Sequence, residues 1–296
     1  MLSYSANGIK ISETLQTNAI AWIHSLPEPE LGPTRRILED LEGLAGAGGF
    51  PVHKYAVGTR AELIGTLSRL RKEAENGLRP VLHVDAHGDV ERGLLLSPSG
   101  EHMGWVEVIN LLRELNVATR NNLASVFALC FGLHLYKHAS LTKPVPAYIF
   151  FAPPSEVSVG FLEAQTLAFY REVNRTANVT EAFQATLGGR MQSFHCQGLF
   201  LLSLLRYIRT YCMGRRRQDR LERMVTAIIT REGITKPSSS QLREIRQKIR
   251  DSLEPGQDLI DRFAPSFLIG RTPAFTYSDV AKILAHSGAA VPPRSL

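Results

Sequence analysis

Cysteine is scarce in this chain, with three in 296 residues: Cys130, Cys196 and Cys212. A small, odd number with no C-x-x-C excludes a disulfide framework and the common zinc-site spacings, and predicts a reducing, cytoplasmic setting. Long apolar runs are missing too. The longest, Gly198–Leu205, stops at Arg206, well short of the roughly 20 residues needed to cross a bilayer. The opening Met1–Glu13 is polar and lacks both the basic start and the apolar stretch of a secretory signal. No internal repeat, low-complexity tract or D-x-D sequence occurs. What is present is an ordinary globular composition, 44% hydrophobic and 21% charged, with length for one large domain or two medium ones.

Charge is unevenly distributed. The net +6 arises because His195–Leu296 holds 17 Lys and Arg against 9 Asp and Glu, whereas the preceding residues hold 17 against 19. A basic C-terminal third therefore follows a nearly balanced body.

Within that body, apolar runs alternate with amphipathic ones. Ala19–Leu26, Val52–Val57, Val81–Asp89, Leu123–Gly132 and Ala147–Ala152 read as strands, with Gly93–Ser97 as a hairpin arm. Helices are expected at Thr34–Leu44, from the capping box Thr59-x-x-Glu62 through Leu70, at Gly104–Leu115, as a short helix near Leu133–His138, and at Val157–Asn174 and Val179–Leu187. Apolar strands separated by helices predict an α/β fold with a mostly parallel sheet covered by helices on both faces. After residue 190 the alternation stops. Helical patterns at Gly198–Thr210, Gln218–Thr230, Ser239–Leu253 and Tyr277–His286 predict a basic, mainly helical subdomain over 191–296 with a loose tail from Gly288, set against a 1–190 catalytic domain.

Two strands end in chemistry. Val81–Asp89 reads V-L-H-V-D-A-H-G-D and presents His87, and Leu123–Gly132 presents Cys130. In parallel sheets, ligand and catalytic groups gather beyond the carboxyl ends of the strands. An imidazole beside a thiol removes its proton or lowers its pKa, and the thiolate is the nucleophile. Backbone amides at Gly88 and Cys130 are candidate donors to an oxyanion. The dyad chemistry itself requires no metal or organic cofactor.

This pattern resembles the caspase-like cysteine peptidases (caspases, metacaspases and bacterial CHAT proteases) over about Ala19–Leu187. In that group a His-Gly ends one strand and the nucleophilic Cys ends the next parallel one. The resemblance implies a Cys130–His87 endopeptidase with Gly88 and Cys130 forming the oxyanion hole. It further implies a protein substrate and regulation by a partner protein or a nucleotide signal, here through the basic C-terminal region. For bacterial members it implies roles in antiviral defence or cell death. Some relatives use calcium, and no obvious calcium loop occurs here. True caspases flank the Cys with Gln two before and Arg one after; this chain has Ala128 and Phe131, so their preference for Asp is not carried over. Asp85 shares a strand face with His87 and, with Ala128 and Glu156, is a candidate for the S1 pocket; an acid there favours Arg or Lys before the cut bond. Arg190 and Arg215–Arg217 then become candidate self-processing sites.

Other readings compete. Cys130 alone reads as a small buried hydrophobe, His83 as a satisfied core histidine, and the basic C-terminal helices as solvated faces. A caspase-fold scaffold that binds a partner without cutting is a second reading. D-A-H-G-D also resembles the D-A-H-x-D signature of the arginase-like ureohydrolases, but the companion G-G-D-H and S-x-D-x-D-x-x-D-P sequences are absent. His134 and His138 stand at i, i+4, which on an α-helix is a metal-ligand spacing.

Overall fold

The computed structural model describes residues 2–6, 9–13 and 15–286; the predicted tail from Gly288 lies outside them. Strands β1 (Leu2–Ala6) and β2 (Ile9–Glu13) form a separate antiparallel hairpin, which the polar opening did not suggest.

The main sheet starts with β3 (Ala19–Ser25). Next come α1 (Leu31–Gly46), β4 (Val52–Ala56), α2 (Arg60–Glu75) and β5 (Pro80–Asp89). The hairpin β6 (Gly93–Leu96) and β7 (Glu101–Met103) follows, then α3 (Trp105–Ala118), β8 (Ala124–Ala128), a 3-10 helix Gly132–His138 and β9 (Ile149–Ala152). Helices α4 (Val159–Thr176) and α5 (Val179–Ala185) precede the last strand, β10 (Gln192–His195). The spatial order is β10-β9-β8-β5-β3-β4. The five strands from β4 to β9 are mutually parallel, and β10 runs antiparallel to β9 at the edge. The α/β architecture is thus as expected, in a mixed and mostly parallel sheet.

Local sequence explains the elements that carry this order. The Thr59 hydroxyl accepts from the Glu62 amide while the Glu62 carboxylate reaches back to the Thr59 amide, closing the capping box of α2. Gly104 precedes α3, whose first residue, Trp105, sends its indole N–H to the carbonyls of Asp89 and Val90 and so pins the end of β5.

Two cores flank the sheet. Leu82, Val84 and Phe127 pack with α2 and α3 on one face. Ile20, Trp22, Val81 and Val126 pack with α1, α4 and α5 on the other, and this second core continues into the C-terminal helices. A division at residue 190 therefore does not separate two cores. β10, beyond that point, is part of the sheet, and α6 (Cys196–Tyr207), α9 (Gln257–Phe267) and α10 (Tyr277–His286) bury Phe200, Phe267 and Leu284 against the body. Buried Asn121 donates to the Leu268 carbonyl and links the α3–β8 turn to the end of α9. What stands apart is the hairpin of α7 (Gly214–Arg231) and α8 (Ser239–Leu253), with its own small cluster around Leu221, Val225, Ile249 and Leu253. Among the described residues, no helix is long and apolar enough to cross a membrane.

Candidate active site

Register brings the site together. β5 and β8 are adjacent and parallel, and Asp85 pairs with Ala128. His87 and Cys130 each lie two residues further along, past the last paired positions of the two strands. On β3, His24 pairs with Asp85, so His24, Asp85 and Ala128 form one row across the sheet, immediately before the His87 and Cys130 positions. Side chains alternate along a strand, which puts His83, Asp85 and His87 on the face that carries Val81, towards α1 and α4.

β5 leaves the parallel sheet at this row. Its partner on β3 ends at Ser25↔Ala86, and from His87 to Asp89 it pairs instead with β6. Gly88 sits in that crossover for a steric reason. A Cβ there would lie 2.0 Å from the Cys130 carbonyl oxygen and 2.7 Å from Leu129 Cδ1. The His-Gly step is therefore packed against the cysteine turn.

Cys130 itself is half-buried at the head of a bent turn. Phe131 follows in the left-handed region at φ 59°, a conformation costly for a bulky side chain and concentrated at functional sites. The β9–α4 connection holds the turn: Phe131 N–H donates to Ser155 O, and Leu133 N–H to Pro153 O. The Cys130 thiol faces Val157 O at 4.0 Å. Glu156 is exposed on this same connection, one residue before that carbonyl.

His87 is oriented by a residue that the sequence reading did not single out. Its Nε2 is 2.8 Å from Glu30 Oε2, with both side chains 44% exposed. A carboxylate only accepts, so Nε2 carries the proton and Nδ1 remains the atom able to take one from a thiol. Glu30 lies just past the carboxyl end of β3, next to β5, and the signal for it was the Glu28-Pro29-Glu30 step closing the first strand. Glu30→Gln keeps the shape but removes the charge that stabilises an imidazolium. We expect it to lower the rate of Cys130 alkylation about tenfold while leaving the melting temperature unchanged. Equal rates in the two proteins would remove Glu30 from the site.

The remaining candidates sort by contact. Asp85 accepts a 2.6 Å hydrogen bond from the Thr34 hydroxyl of α1. Burial pushes its carboxyl up to about 6, against the opposing pulls of Thr34 and His87. Ala128 is buried beside it. His83 is a core histidine: fully buried, its ring stacks on Trp22 at 3.6 Å, Nδ1 meets the Tyr170 hydroxyl at 3.1 Å, and burial lowers its pKa to about 3. Asp89 accepts from the amides of Glu91 and Arg92 and caps a turn. The two acids of D-A-H-G-D are thus engaged by a threonine hydroxyl and by turn amides, and among the described residues no group of three or more His, Cys, Asp or Glu is placed to hold a metal ion. His134 and His138 fall on a 3-10 helix, where residues three apart share a face and residues four apart do not; His134 contacts Phe131 and Lys137. Arg190 is exposed in a connection, whereas Arg215–Arg217 lie in the first turn of α7.

No protein-family model matches the chain, and no curated protein matches it. Fold and site together define an α/β protein with a half-buried thiol and a carboxylate-bonded imidazole at neighbouring strand ends of one sheet.

Proposed function

We propose that the protein is a caspase-like cysteine endopeptidase with Cys130 as nucleophile and His87 as general base and then acid. One observation supports the reading: the Asp85↔Ala128 register, after which His87 and Cys130 each follow by two residues at the ends of adjacent parallel strands. In the reaction, His87 takes the thiol proton and the sulfur attacks the scissile carbonyl, forming a C–S bond. The Gly88 and Cys130 amides stabilise the resulting oxyanion. Collapse breaks the C–N bond, and the departing amine takes the proton back from the imidazolium. Water, deprotonated by His87, then cleaves the thioester and restores the thiol. Asp85, Ala128 and Glu156 are the proposed S1 neighbourhood, favouring a basic residue before the cut bond. The resemblance further suggests an inducible enzyme in bacterial defence or cell death, acting in the cytoplasm.

A second reading, a caspase-fold scaffold that binds without cutting, draws on one fact: the Cys130 thiol is directed at Val157 O, and His87 at Glu30. For an enzyme, the same fact describes a resting state in which the dyad has yet to close.

The test is labelling with peptidyl acyloxymethyl ketones ending in Arg or in Asp, followed by mass mapping. We expect an adduct on Cys130 that disappears in His87→Ala, and faster reaction with the Arg probe. Labelling of Cys130 at equal rates with and without His87 would defeat the dyad. Cys130→Ala separates the readings, since a scaffold keeps its partner and its cellular effect, whereas a protease loses the effect.

A further inference from the structure

One large cavity lies away from the dyad. It encloses 1040 Å³ between two walls. One wall is the end of the 3-10 helix Gly132–His138 with the chain through Thr142. The other is α6, the π turn Ile208–Cys212 that extends it, and the start of α7. This volume is at the upper end of the range for small-ligand pockets.

Its charge is one-sided. Lys137, Arg206 and Arg216 line it and no Asp or Glu does. The next cleft, of 840 Å³, is different: Glu75 and Glu114 stand there among Arg71, Arg113, Arg120 and Lys143. The basic character of the first cavity is not an average property of this region either. Neighbouring Arg217 and Arg246 are paired with Glu254 and Glu222, whereas exposed Arg206 and Arg216 make no ion pair among the described residues. Cations that line one concavity without counter-charge repel each other, and a multiply charged anion relieves that repulsion; among the described residues the Lys137 ammonium meets only the His134 ring, at 3.1 Å.

An aromatic shelf accompanies the cations. Tyr207 and Tyr211 both line the cavity, with ring centroids 5.2 Å apart and planes inclined at 45°, and Tyr211, 49% exposed, offers the open face. The π turn carries Thr210 and Tyr211 on the wall; such turns concentrate at functional sites. Hydroxyl residues line both sides, Ser203 and Thr210 on one and Ser140 and Thr142, bonded to each other at 3.1 Å, on the other.

We propose that this cleft binds a nucleoside polyphosphate, with the phosphates held by Lys137, Arg206 and Arg216 and the base on the Tyr207–Tyr211 shelf. Planar guanidinium groups suit phosphate oxygens, and a base stacked on tyrosine uses surface that an acidic peptide would leave idle. The proposal stands independently of the proteolytic reading.

Isothermal titration calorimetry of the full chain with ATP, GTP, CTP and UTP tests it, with adenosine, tripolyphosphate and hexaglutamate as controls. At least one nucleotide is expected to bind with a Kd below about a millimolar, and each control at least about tenfold more weakly. Tyr211→Ala should weaken that binding about tenfold, and the pair Arg206→Glu, Arg216→Glu by about a hundredfold. Arg243→Glu, on exposed α8 surface, should leave it unchanged. Thermal melts check folding, and Arg216→Ala replaces the double variant if that one fails to fold. The proposal is overturned if none of the four nucleotides binds the folded wild type. It is equally overturned if tripolyphosphate or hexaglutamate binds as tightly as the best nucleotide, or if Arg243→Glu weakens binding as much as the changes in the cleft.

Discussion

Gly88→Ala is expected to disrupt the protein more than deletion of either reactive side chain. The added methyl would stand 2.0 Å from the Cys130 carbonyl oxygen and 3.2 Å from its carbonyl carbon. Both are backbone atoms, so no rotamer change relieves the contact, and β5 or the cysteine turn must move. Overpacking of this kind costs about 3 kcal/mol. Because the strain falls between the two strand ends, alkylation of Cys130 should slow about a hundredfold even where the fold survives. Two comparisons set the scale. At Gly132 a Cβ meets the Cβ atoms of Ala152 and Phe127 at 3.2 Å, so Gly132→Ala should cost about 1 kcal/mol. At Gly65, inside α2, nothing lies within 4 Å; there alanine should stabilise by about 0.5–1 kcal/mol, since glycine is the poorer helix former. Urea midpoints for the three variants, read beside thiol labelling, check the order. A Gly88→Ala protein that unfolds and labels like wild type would mean that the His-Gly step is not packed on the cysteine turn.

What could be read ahead of the structure depended on the range of the interaction involved. β5 and β8 were legible because each is largely apolar and leads into a reactive residue at or just past its end, and their pairing followed from parallel α/β topology. The α2 start was legible because its capping box is entirely local. β10 was not: Gln192-Ser-Phe-His195 is short and half polar, as suits an antiparallel edge strand, and only its partner Ile149–Ala152 makes it a strand. α9 was hidden by Pro265, which falls inside it and which a local reading takes as a break. Glu30 illustrates the same limit at the site. It meets His87 only because β3 lies beside β5, a tertiary fact. The cleft joins residues near 137 to residues near 206 and 216, and no period along the chain relates them.

The pH dependence of stability should reveal the row beneath the dyad. Asp85 titrates near 6 in the folded chain, against 3.8 as its ordinary value. Between those limits the folded state holds the extra proton, so this group's contribution is complete below pH 3.8 and is lost as pH rises through 6, by about 3 kcal/mol in all. The histidines act in the opposite sense. His83 is lowered by burial to about 3, and His195, by burial and then by Arg271, to about 4, both from 6.5. There the unfolded chain takes up the protons; stability is complete above pH 6.5 and falls as the solution is acidified. Over about pH 4–6 the two histidine protons oppose one from Asp85, so Asp85 subtracts about one proton, about 1.4 kcal/mol per pH unit, from the acid slope. Asp85→Asn removes the opposing term while its amide oxygen can still accept from Thr34. The variant should therefore be more stable than wild type by about 1–3 kcal/mol above pH 7, lose that advantage near pH 4, and show an acid slope steeper by about one proton, about 1.4 kcal/mol per pH unit, between. Urea unfolding across this range measures all three. Parallel curves for the two proteins would show that the Asp85 carboxyl is solvated in the folded chain, and with it that the space beside Ala128 is open to water before any substrate arrives.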